Sequence, residues 1–238
     1  MTNCIECNEI IENKYCSNCG QPASLKRING KYLLHEINHL LHLEKGFLYT
    51  VKELFIRPGE SVKVFITQNR MKLVKPIVFI IVTSLIYTIV NHYFSFDKEA
   101  FNIDTIKDEK AKNILNWVNA NYGYSNIVLG AFIAFYVKIF FNNYRYNYFE
   151  ILILLYYAMG MSMLIFSLFA IFQGLTQIKS FYFGSIAAIA YCTWAVGQFF
   201  DKKKAISYIV ALISYILGTF TIMFLGIIIG IVILILSK

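Results

Sequence analysis

Charge is scarce in this chain, and its absence from long stretches is the first thing the sequence offers. Of 238 residues only 15% are charged, while 58% are hydrophobic, well above the roughly 45–50% apolar share of soluble domains. That balance excludes an ordinary soluble domain and places the chain in a membrane. Nothing near Met1 shows the basic-then-apolar pattern of a secretory signal, so the first span is expected to act as its own targeting signal. No ionisable side chain stands clearly at the middle of an apolar run. Proton- and ion-coupled carriers usually need one there, so the gap argues against that class. Cysteine is nearly confined to the first 19 residues; the exception, Cys192, lies in an apolar run and reads as a small core hydrophobe.

What is present begins with Cys4-x-x-Cys7, eight intervening residues, and Cys16-x-x-Cys19-Gly20. Each pair forms a tight turn presenting two thiolates, and the four soft ligands suit a tetrahedral structural zinc. A segment as short as residues 1–27 cannot bury a core of its own, so the metal would supply most of its folding free energy. Two disulfides are the alternative and require an oxidising compartment. A four-thiolate zinc keeps no open coordination position, so the expected role is a small rigid contact module.

Residues 28–75 read as cytosolic juxtamembrane helices. In the stretch Tyr32 to Leu43, Leu33, Leu34, Ile37, Leu40 and Leu41 form one helical stripe and His35, His39 and His42 share the other face. His35-Glu36-Ile37-Asn38-His39 also matches HExxH, in which two histidines one turn apart bind zinc and the glutamate serves as general base. Downstream, only isolated glutamates such as Glu53 and Glu60 could offer a third ligand, and the competing reading is a hydrated face of an interfacial helix. Next, Phe47, Leu48, Val51, Leu54 and Phe55 give an apolar stripe at helical spacing, and Pro58-Gly59 breaks that helix. The basic residues Arg57, Lys63, Arg70, Lys72 and Lys75 precede the first span and are expected to meet anionic lipid headgroups.

Residues 76–238 contain five apolar runs: Pro76 to Phe94, Ile127 to Phe141, Phe149 to Phe172, Phe181 to Phe200 and Ala205 to Leu236. A bilayer core needs about 20 helical residues, so the expected fold is an all-α membrane protein with a five-helix transmembrane bundle. The last run exceeds a span and should tilt or project. Basic residues between Arg57 and Lys75, at Lys138 and Arg145, and at Lys202 to Lys204 gather on one side, which the positive-inside rule makes the cytosol. The N-terminus is then cytosolic and the C-terminus extracytoplasmic, in a bacterial inner membrane. On the far side, Thr105 and Asp108 suggest a capped helix near 105–120, with Trp117 placed for an interface. Gly130 with Ala134, Gly184 with Ala188 and Gly226 with Gly230 read as helix-packing pairs. Tyr156, Tyr157, Tyr191 and Tyr215 could line a polar pocket, although aromatic packing is their ordinary role.

Cys16-Ser-Asn-Cys19-Gly20, Leu43-Glu-Lys-Gly46-Phe-Leu-Tyr-Thr50, Leu54-Phe-Ile-Arg-Pro58-Gly59 and Arg70 before Lys75-Pro76 together resemble the bacterial membrane-protein family called domain of unknown function 3667. The resemblance covers roughly the first third of the chain and implies no activity. In layout the chain also looks loosely like Yip-type membrane proteins, which act in trafficking and scaffolding. The leading expectation is a non-enzymatic adaptor whose zinc ribbon contacts a protein partner. Passage of a neutral or amphipathic small molecule or lipid is the alternative, and an HExxH peptidase is the third reading. Expected partners are a bilayer with anionic headgroups and a protein at the ribbon, with a homo-oligomer left open and no nucleic acid.

Overall fold

The computed structural model describes residues 2–4, 7, 9–11, 16–19, 46–94, 96 and 122–236, with side chains of the last helix described as far as Gly226 and at Ile228. The histidine stretch with His35, Glu36 and His39, and the stretch expected to form a helix near 105–120, lie outside the described residues. The chain divides into two units, Met1–Glu44 and Lys45–Lys238.

In the first unit a short antiparallel pair, β1 (Thr2–Asn3) and β2 (Ile10–Ile11), sets Thr2 against Ile11 and Asn3 against Ile10. The second unit is helical. Its elements are α1 (Phe47–Ile56), α2 (Pro58–Thr67), α3 (Pro76–Phe94), α4 (Tyr122–Phe140), α5 (Tyr148–Thr176), α6 (Phe181–Asp201) and α7 (Ala205–Leu236). Prolines open α2 and α3, where a missing backbone donor costs nothing because the first turn of a helix leaves its N–H groups unpaired anyway.

The bundle is organised around α5, which packs against α1, α2, α3, α4 and α6, while α7 closes the far side against α4 and α6. A reciprocal cap starts α5: the Asn147 side chain accepts from the Glu150 N–H (2.9 Å), and the Glu150 carboxylate accepts from the Asn147 N–H (2.8 Å). From Leu154 to Met163 every residue of α5 is buried, so its sequence shows no polar face. Gly160 lies against the Phe79 ring and Thr83, and Gly174 against the Phe94 ring, which places α3 and α5 side by side and parallel.

Four of these helices, α3, α5, α6 and α7 from Ala205 to Gly226, are long and apolar enough to cross a membrane. The expected fifth span is α4, whose apolar part among the described residues, Ser125–Phe140, is shorter. At about 1.5 Å per residue the 32 residues of α7 reach about 48 Å, against a hydrocarbon core of about 30 Å.

Candidate functional site

Among the described residues one group could hold a metal ion: Cys4, Cys7, Cys16 and Cys19, with all four Sγ atoms within 4.8 Å of one another. The strand pair closes the first cysteine turn, Cys4 to Cys7, helped by the Cys4 N–H donating to the Glu9 carbonyl at 2.8 Å. The sulfurs of Cys4 and Cys19 lie 3.3 Å apart, and that of Cys7 lies 3.5 Å from those of Cys16 and Cys19. A disulfide would bring a pair to about 2.05 Å, and none of the cysteines is in one. Zinc bound at about 2.3 Å by a tetrahedron of thiolates sets sulfurs about 3.8 Å apart, close to what the cluster already has. The Cys16 thiol is pulled down to about 7, chiefly by hydrogen bonding from the Cys19 and Asn18 backbones. These donors favour the thiolate, the form that ligates metal. The donor set therefore fits zinc, and its four equivalent sulfurs fit a structural rather than a catalytic centre.

In the helical unit the most elaborate arrangement is where α1 and α2 dock. Leu54, Val62, Phe65 and Ile66 are buried in the main core with Phe79, Tyr157 and Phe199. Phe47 meets the Phe79 ring and Phe65 the Tyr157 ring, both at 5.5 Å. The expected apolar stripe divides: Phe47, Val51 and Leu54 pack on the core, whereas Leu48 and Phe55 face outward.

The attachment itself is polar. Two tyrosines deep in the span helices donate to backbone carbonyls of the docked segment, Tyr191 to Leu54 (2.8 Å) and Tyr157 to Val74. The Thr50 hydroxyl accepts from the Val74 N–H (3.0 Å), and the Gln198 side chain accepts from the Gly59 N–H (2.8 Å). Of the four tyrosines weighed between pocket lining and aromatic packing, Tyr157 and Tyr191 thus serve as caps for carbonyls. Replacing either with phenylalanine leaves a buried carbonyl unmet. Each variant is expected to lose about 1–3 kcal/mol, read as a lowered melting temperature in detergent; unchanged melting would show that the hydroxyls are not needed.

In the last turn of α1 sits Glu53, nearly buried. It accepts from Arg57 Nη2 (3.0 Å) and Nε (3.1 Å) and from the Ser61 hydroxyl (3.1 Å), with Lys72 Nζ at 3.6 Å. The Arg57 guanidinium, aided by Ser61 and Lys72, holds its carboxyl below the usual range against the opposing effect of burial. With the folded value depressed, the stabilisation is complete above the unfolded carboxyl value of about 4.3 and fades as pH falls through the folded value. The melting gap between the native chain and Glu53→Gln should therefore narrow as the pH is taken from 7 to below 4. A gap that stays constant over that range would remove Glu53 from this role. Two of the five basic residues expected at headgroups, Arg57 and Lys72, are thus paired with Glu53. The Glu60–Lys202 pair (2.6 Å), by contrast, is solvent-exposed and worth little.

Residues 44–88 match a family model described as protein of unknown function (DUF3667). The matched segment is α1, α2, their link to α3 and most of α3 itself, so the family signal coincides with the docked segment and its entry into the first span. It bears out the resemblance carried by Gly46 to Thr50, Leu54 to Gly59 and Arg70 to Pro76, while the cysteines fall outside the matched residues. No curated protein and no solved structure matches the chain.

Beside α4, a groove of about 390 Å³ is lined by Ala131, Phe132, Phe135, Tyr136, Tyr148 and Thr221. Its hydroxyls are engaged locally, Tyr136 with Thr221 at 2.8 Å and Tyr148 with the Ala131 carbonyl at 2.9 Å, and no lining residue is charged. Sequence reasoning missed both Glu53 as a hub and the tyrosine caps. The Glu53–Arg57 spacing of four residues was a legible helical ion pair, whereas a carbonyl acceptor leaves no mark in a sequence.

Proposed function

We propose that this chain is a non-enzymatic membrane adaptor: a helical bundle that anchors a zinc-binding head, which contacts a protein partner. The observation that carries this reading is the convergence of four cysteine sulfurs within 4.8 Å, a donor set that saturates zinc and leaves no position for substrate. When bound, zinc would cross-link the two cysteine turns and supply the folding free energy the short head lacks. In this reading α4 completes five spans, and the basic residues put the head and the N-terminus in the cytosol of a bacterial inner membrane, where thiols stay reduced. Crosslinking followed by co-purification of the full chain, native against Cys16→Ser, tests the proposal. Loss of specific partners from a variant whose bundle still melts normally supports it; an unchanged partner set refutes it.

The groove on α4 supports a second reading, binding or passage of a lipid-like apolar molecule, because its lining is almost wholly apolar. Filling it with Ala131→Trp should displace co-purifying lipid measured by mass spectrometry. Retention of the same lipid would set this reading aside.

A further inference from the structure

The outer face of α1 is apolar although its inner face already serves the core. Leu48 is 82% exposed, Phe55 68% and Ile56 58%, and Met71 on the link to α3 is 79% exposed. On a helix with 100° per residue, positions 48, 55 and 56 fall on one arc, with Lys52 inside it, opposite buried Thr50 and Leu54. Water would be a poor solvent for that arc. A bilayer boundary is a good one, since an interfacial helix sinks its apolar face about 5–10 Å into the headgroup and acyl border. The neighbouring helix α3, which α1 meets through the Phe47–Phe79 ring contact, carries its own exposed apolar row at Ile77, Ile81 and Leu85, the kind of face a spanning helix turns to lipid. The cations nearby are unequal. Arg57 and Lys72 are taken by Glu53, whereas Lys52, Arg70 and Lys75 are exposed.

We propose that the outer face of α1 with Met71 is a lipid-binding surface for an anionic leaflet, Leu48, Phe55 and Ile56 entering the acyl border and Lys52, Arg70 and Lys75 holding phosphate headgroups. The anionic preference follows from charge: each unpaired cation near such a surface adds attraction that a zwitterionic leaflet does not return. This surface is independent of the zinc head, and its failure would leave the adaptor reading untouched.

The test uses the full chain in nanodiscs of phosphatidylcholine, with or without phosphatidylglycerol. Leu48→Trp and Phe55→Trp are compared with the native chain, whose two tryptophans form a constant background. The added indole should emit to the blue, lose most of its signal to lipids brominated near the headgroup, and resist aqueous iodide. A triple variant, Lys52→Glu with Arg70→Glu and Lys75→Glu, should melt like the native chain and retain several-fold less phosphatidylglycerol. An indole quenched by iodide and untouched by brominated lipid overturns the proposal, as does unchanged phosphatidylglycerol retention. Two chains per disc with position 55 shielded from both quenchers overturns it in favour of contact between copies.

Discussion

Gly59→Ala is expected to leave little folded protein. A Cβ at this position would overlap the Phe199 backbone nitrogen and Cα and the Gln198 carbonyl carbon. These are main-chain atoms of α6, so no rotamer change relieves the clash; α2 would have to move off the bundle. Such a move breaks the Gly59–Gln198 hydrogen bond and opens the contact of α2 with α6. Overpacking typically costs about 1–3 kcal/mol and more where the neighbour cannot yield, a large share of the roughly 5–15 kcal/mol that holds a domain folded. Gly226→Ala is the matched control, because nothing lies within 4 Å of its would-be Cβ, and alanine gains about 1 kcal/mol over glycine in a helix. Monodisperse yield and melting temperature after detergent extraction read both. Near-native values for Gly59→Ala would mean that α2 does not sit against α6 as described.

The second large effect is on metal content. Purified full chain should carry zinc in a ratio near one per molecule, and Cys16→Ser should lose most of it. Cys16 is a buried thiol pulled down to about 7 by backbone donors, so replacing it removes a preformed ligand and breaks the tetrahedron. Structural zinc sites of this kind bind with apparent free energies of about 10–16 kcal/mol, and one missing thiolate should make the metal extractable by a mild chelator. Melting of the helical unit should not change, because the cysteines belong to a separate unit. Equal zinc in native and variant protein would show that the four sulfurs do not form the site.

These outcomes bear on how much the sequence disclosed. The cysteine cluster was legible because metal-ligand spacing is local: two turns of fixed length put four sulfurs together whatever the rest of the chain does. The long spans were legible because a bilayer demands about 20 apolar residues, and α3, α5, α6 and most of α7 meet that demand. The placement of α1 was harder to read. Its apolar residues Phe47, Leu48, Val51, Leu54 and Phe55 were one stripe in the sequence, yet the boundary between protein and surroundings cuts through that stripe. In water an apolar face marks the buried side, but beside lipid both sides of a helix can be apolar, and periodicity then cannot say which faces the bundle. The basic residues before the first span were legible as charge and not as pairing, since a nearby acid, Glu53, pairs with Arg57 and Lys72.

The tyrosine caps carry a consequence for how freely the docked segment can be rewritten. Tyr157 and Tyr191 grip the carbonyls of Val74 and Leu54, and every amino acid brings a carbonyl. The address to which α1 and its link to α3 are delivered is therefore held by the spans, not by the outward side chains of the segment delivered. Leu48, Lys52, Phe55 and Ile56 can be exchanged wholesale, for a different membrane or a different neighbour, while the mooring stays in place.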